Sequence, residues 1–213
     1  MRFGPGIVSL GLAAGLIAAS PAAACSVEPG YRAPSALEMA EQAEIVLLGI
    51  VESGPLEYDS RVGAAVVVRP TALLKGASLP AEWRLSGTVA EEGYGVPSDP
   101  RELVYAHPQS FAGMCVRTLF VRGSTILLFL RRSNGHLVAH WGPFARHAED
   151  VPSPDSRWVR AVRLYIEVAA LPPAERRAAL VARQAALAAR TGDADAQAVA
   201  ADIGRQLQDP NLR

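Results

Sequence analysis

The chain carries only two cysteines, and their placement restricts its fold more than any other feature. Cys25 stands directly behind Ala22-Ala23-Ala24, and Cys115 lies far downstream, ahead of the strongest apolar strand pattern. Residues 1–24 read as a secretory signal peptide. Arg2 supplies the positive start, Ile7 to Ala19 the apolar run and Pro21 the helix break, and Ala22 to Ala24 are the small residues a signal peptidase accepts. The run is shorter than the roughly 20 residues that span a bilayer, which disfavours a retained anchor. A cysteine behind small residues is also the pattern of lipoprotein acylation, with Ala22 where that signal usually has Leu. Lipidation of Cys25 is therefore a second reading. Under either, the mature chain is exported: secreted, periplasmic or membrane-anchored.

Two cysteines in an oxidising compartment suggest one disulfide, Cys25 to Cys115. It would close a loop of about 90 residues, for which the chain-entropy model gives about 4.5 kcal/mol. The alternative is two free thiols, with Cys115 a small buried hydrophobe. About 189 residues follow position 24, enough for one larger domain or two small ones. Without Arg2 they hold 20 basic and 21 acidic residues. This near balance argues against nucleic acid as a partner, since that would favour a basic face.

The pattern over residues 25–150 is strand-rich. Ser35 with Glu38 three residues on forms a capping box for a short helix from Ala36 to Ala43. Residues 44–52 form a β-branched, continuous apolar run, which suits a strand buried on both faces or in a barrel, with Gly49 marking a bulge or bend. A second strand spans 64–68 and 71–74, with Pro70 placing it at an edge or a bulge. Lys75-Gly76 closes it. A third strand covers 83–87, and 123–131 is the strongest pattern of all. Asn134-Gly135 then signals a hairpin into 136–141.

Residues 88–114 read as irregular, with Tyr94, Tyr105, His107 and Phe111 among prolines and polar turn residues. A loop this long inside a small domain is usually functional or disordered. Two readings of the four side chains stand open: a binding surface tethered at Cys115, or aromatic rings packed back on the sheet. From residue 151 the chain turns Ala-rich and helical. A helix capped by Asp155 or Ser156 carries Val159, Val162, Ile166 and Ala169 on one stripe. A second runs over 174–189. A third, capped by Asp193, carries Val199, Ile203 and Leu207.

The strand half resembles the netrin-like module of the tissue inhibitors of metalloproteinases. The matching residues are Cys25-Ser26, the run Ala43 to Val51, Leu73-Leu74-Lys75-Gly76, and Cys115 to Gly123 followed by Ile126-Leu127-Leu128-Phe129. Val27 stands where the family carries its second cysteine, and Val116 where it favours glycine. The resemblance covers roughly residues 25–145 and none of the helical tail. It implies a five-stranded OB-type β-barrel for the domain over 25–150, which with the small α-helical segment read from the pattern over 151–213 makes an α+β chain. It also implies a non-enzymatic, protein-binding role without a cofactor. The sharpest form is inhibition of a metalloprotease, in which the free α-amino group and carbonyl of Cys25 chelate the enzyme's zinc at its open position, with Ser26 alongside. Lipidation would block that amino group. The chain would then be a lipid-anchored structural module of the envelope, with the helical tail as its contact surface.

No catalytic pattern competes. The sequence has no G-x-S-x-G elbow and no phosphate-binding or dinucleotide loop. His136 and His140 share a strand face about 13 Å apart, too far to ligate one ion. They and His147 read as surface or loop histidines.

Overall fold

The computed structural model describes residues 27–57 and 65–209. The expected signal peptide over 1–24, Cys25, Ser26 and Ala64 lie outside the described residues. The fold is α+β: a curled antiparallel sheet with four helices. The sheet is built from β1 (Ile45–Ser53), β2 (Ala65–Lys75), β3 (Trp83–Ser86), β6 (Thr125–Ser133), β7 (His136–Val138) and β8 (Ala148–Asp150). Its order is β3-β2-β1-β6-β7, and β8 pairs with β6 through residues 126–128. A parallel pair, β4 (Thr88–Ala90) with β5 (Leu119–Val121), stands apart from it.

The two-sided apolar pattern of β1 is used on both faces. Val46 and Leu48 join Leu127 and Phe129 of β6 in a cluster with the helices. Ile45, Leu47 and Val51 face the other way, with Val66, Val68, Leu85, Val89 and Phe120 inside the curl. Gly49 sits at a register shift opposite Pro70, so the expected bulge is present at both residues. Pro70 also lies beyond the stretch of β2 that β3 covers. A Cβ at Gly49 would come 2.5 Å from Val68 Cγ1 and 3.1 Å from the Arg69 carbonyl oxygen. Val68 is fully buried, so Gly49→Ala is expected to cost about 1–3 kcal/mol, read as a lowered urea midpoint at unchanged slope.

Helix α1 (Ala36–Gln42) starts on the expected capping box: Glu38 N donates to Ser35 Oγ at 3.3 Å, and Ser35 N to Glu38 Oε2 at 2.7 Å. Its C-terminal carbonyls, Ala40 and Glu41, accept from Lys75 Nζ at 2.8 and 3.1 Å. The chain's single lysine thus pins α1 to the end of β2. Helix α2 (Arg157–Ala169) buries Trp158, Val159, Val162, Tyr165 and Val168, whereas Ile166 and Ala169 sit at the margin of the core. The stripe is rotated toward Tyr165 because α2 packs on α1, α3 (Pro173–Ala188) and α4 (Ala194–Gln208). Asp193 caps α4 as expected, its Oδ1 accepting from Ala196 N at 2.9 Å. The helices share one apolar cluster with the sheet.

Three sequence expectations need correction. Residues 88–114 are not wholly irregular: β4 forms at once after Gly87, where a Cβ would lie 2.3 Å from the Thr118 carbonyl oxygen. The strand after the Asn134-Gly135 turn ends at Val138, not Trp141. Trp141 instead turns inward, and its Nε1 donates to the Phe129 carbonyl at 2.8 Å. His147, expected at the surface or in a loop, lies in a bend but is buried, 7 % exposed. It precedes β8, and its Nδ1 donates to the Ala145 carbonyl at 3.2 Å.

Candidate functional site

The long segment between β4 and β5 is held down by a buried polar network. Arg117 Nη2 pairs with Asp150 Oδ2 at 2.8 Å. Its Nη1 donates to the Ala148 carbonyl at 3.1 Å and its Nε to that of Leu119 at 3.0 Å. Ser98 is held three times: its N donates to Asp150 Oδ2 at 2.9 Å, its Oγ donates to Glu149 Oε2 at 2.7 Å, and the same Oγ accepts from Asp150 N at 3.0 Å. His107 N donates to the other Glu149 oxygen at 3.0 Å. Burial alone would push the Asp150 carboxyl up, but Arg117 and the hydrogen bonds from Arg117 and Ser98 hold it below the usual range. Lone buried charges are costly, so this segment lies flat because strand β8 presents paired acceptors to it.

His107 is part of that framework. Its Nε2 donates to the Val96 carbonyl at 2.6 Å, and its Nδ1 accepts from Gln109 N at 3.2 Å. Both nitrogens are used by the neutral ring, and burial followed by the nearby Arg117 lowers its pKa. His107 is buried, so it is a prop of the loop and not part of a contact surface. Gln109 does similar work, its Oε1 accepting from Thr118 N and Leu119 N at 2.8 and 2.7 Å. Glu102 Oε1 accepts from the backbone N–H groups of Leu103, Val104 and Tyr105.

Above this base stands an exposed rim. Tyr105 is 64 %, Phe111 49 % and Met114 58 % exposed. Phe111 stacks on Phe144 with centroids 5.0 Å apart, and Tyr105 meets Phe111 edge-on at 6.5 Å. Phe144 N donates to the Cys115 carbonyl at 2.7 Å. Phe144 and Cys115 both adopt positive φ, 57° and 59°, a conformation uncommon outside glycine and concentrated at functional sites. Cys115 is not a free thiol. The N-terminal arm runs past the same rim, Tyr31 Oη donating to the Pro143 carbonyl at 2.8 Å.

Of the four loop residues singled out by sequence, the structure brings Tyr105 and Phe111 together. Tyr94, although highly exposed, lines a different cavity of about 320 Å³ with Val96, His107 and Leu119. Sequence reasoning passed over Met114 and Phe144, whose only signal is nearness to Cys115 and to Gly142-Pro143. It also passed over Arg117, Arg146, Glu149 and Asp150, charges set close to apolar strand residues.

Beneath the rim lies a cavity of about 420 Å³, bounded by the arm before α1, the loop and α4. Arg146 and Trp158 form part of its wall. Among the described residues, no cluster of His, Cys, Asp and Glu is arranged to hold a metal ion. Nor, among them, is any helix long and apolar enough to cross a membrane. No protein-family model matches the chain, and no curated protein or solved structure is significantly similar to it.

Proposed function

We propose that the mature chain is an exported, non-enzymatic protein-binding module on a netrin-like, OB-type barrel, and that it meets its partner with the rim around Cys115. The observation that carries this reading is the concentration of exposed Tyr105, Phe111 and Met114 near Cys115, with Phe144 stacked on Phe111. Exposed apolar patches of this kind mark contact sites, and aromatic residues and methionine are enriched in interface cores. The β1-β2-β3 meander, with β6 on the far side of β1, supports an OB-type barrel, an architecture that is five-stranded and partly open.

A Cys25–Cys115 bridge belongs to the same reading. It would hold the mature N-terminus on this rim. There the α-amino group and carbonyl of Cys25 would enter a metalloprotease cleft and fill the zinc's open position, with Ser26 beside them. The rim would supply the surrounding contact.

The test is kinetic. Mature protein beginning at Cys25, at micromolar concentration, is expected to slow at least one enzyme in a panel of zinc metalloproteases. Phe111→Ala should weaken that inhibition about tenfold or more, as truncation of an aromatic anchor does. One extra residue ahead of Cys25 should abolish it. If no protease slows, inhibition is rejected; if Phe111→Ala inhibits as well as the parent, the rim is not the contact.

A further inference from the structure

Arg146 is buried with donors to spare. The residue is 5 % exposed. Its Nη1 donates to the Glu102 carbonyl at 2.9 Å, its Nη2 lies 3.8 Å from Glu149 Oε2, and its Nε has no hydrogen-bond partner. The guanidinium lies over the Trp158 ring, 4.0 Å from its centroid, and the buried Trp158 Nε1 is a second donor without an acceptor. Both residues line the 420 Å³ cavity. Fully buried donors normally find partners, and exceptions call for an explanation.

The rest of the wall defines what would fit. Met39, Leu103, Phe111 and Phe144 make much of it apolar. Its two carboxylates are already engaged: Asp202 accepts from Tyr165 Oη and Arg205, and Asp209 pairs with Arg32 at 3.1 Å. Of the three arginines in the wall, Arg32 pairs with Glu38 and Asp209 and Arg205 is a largely exposed side chain paired with Asp202, so Arg146 is the buried cation with a donor unused. A smaller cavity of about 150 Å³ also touches Arg146, but it falls below the size of small-molecule sites. The larger cavity falls in the range of about 300–1,000 Å³ typical of small-molecule sites, which are mostly apolar with a few placed polar groups.

We infer that this cavity receives a carboxylate carried on an apolar body. The carboxylate takes the free donor capacity of Arg146, and the body lies among Met39, Leu103, Phe111 and Phe144. Arginine suits a carboxylate because its fork matches the two oxygens. Such a group has two sources: a free amphipathic acid, or the C-terminus of a peptide ending in an apolar residue.

Calorimetry of the mature protein at pH 7 decides the matter with octanoate, octanol and octylamine as probes. Octanoate is expected to bind at least tenfold more tightly than octanol, and octylamine not measurably. A tetrapeptide ending in Phe, compared as free acid and as amide, tells the sources apart. Preference for the free-acid peptide over octanoate assigns a chain terminus, and the reverse a free acid. Arg146→Gln should erase the octanoate preference. Because that variant can fail to fold, the octanoate–octanol contrast on the unaltered chain stands as a sufficient test. Phe111→Ala, at a half-exposed position, should weaken both probes while keeping their ratio. Arg183→Ala, whose side chain pairs with Glu167 on the helical surface, should change nothing. Octanol binding as tightly as octanoate, or no probe binding below millimolar concentration, overturns the inference. No protease enters this experiment, so its failure is separate from failure of the rim reading.

Discussion

Arg117→Met is expected to destabilise the protein by about 3–5 kcal/mol, the usual cost of removing one partner from a buried ion pair. The Arg117 guanidinium is almost wholly enclosed and serves Asp150, the Ala148 carbonyl and the Leu119 carbonyl together. It also lies over the Phe120 ring, 4.5 Å from its centroid. Methionine fills much of the space but leaves the Asp150 carboxylate buried without its cation. It also strips an acceptor's partner from both β5 and β8. Ser98 N still donates to Asp150, so the damage should centre on the segment between β4 and β5. Urea unfolding gives the magnitude. Amide exchange at Ser98 and His107 should quicken more than exchange in β1, which would show that the network fastens this segment. Arg117→Met combined with Asp150→Asn removes the unpaired charge and should recover more than half of the loss, a coupling read from a double-mutant cycle. A loss under about 1 kcal/mol for Arg117→Met would mean that the pair is solvated.

What the sequence made legible were features whose partners lie close in the chain. Ser35 and Glu38 are three residues apart, Asp193 caps the helix beside it, and Asn134-Gly135 connects adjacent strands with φ of 50° and 81°. Gly49 and Pro70 were readable because each breaks a pattern alone. The network at the loop base was not, because Ser98 and Arg117 meet Asp150 from 52 and 33 residues away. Strands β4, β5 and β8 are three residues each, too short for a period-2 pattern to emerge. In β8, Ala148-Glu149-Asp150 carries two adjacent carboxylates, yet all three residues are buried. Tyr105 and Phe111 were found as aromatic residues on a loop. Their stacking partner Phe144 comes from a turn 33 residues beyond Phe111, and no local pattern ties the two together.

Acidification should reveal the buried His147. Burial depresses its pKa from the ordinary 6.5 to about 4, with the hydrogen bond to the Ala145 carbonyl opposing only part of that effect. Below pH 6.5 the unfolded chain therefore binds a proton that the folded chain refuses. The stability this histidine lends is complete above pH 6.5 and is lost as pH falls toward 4. A depression of this size corresponds to about 3 kcal/mol over the whole window. His107, also lowered by burial and by Arg117, acts in the same direction below its ordinary 6.5. Asp150, held low by Arg117, adds its loss only at more acidic pH, below the usual carboxylate range. Asp202 works the opposite way: burial raises its pKa, so protonation in mild acid favours the folded state. Urea midpoints at pH 7, 5.5 and 4.5 should fall steeply for the parent protein. His147→Gln keeps a donor of similar size and cannot titrate. It should be less stable than the parent at pH 7 and lose less on acidification, so the two curves converge or cross near pH 4.5. Parallel curves for the two proteins would show that His147 takes its proton in the folded state as readily as in the unfolded chain, and that its side chain is open to water.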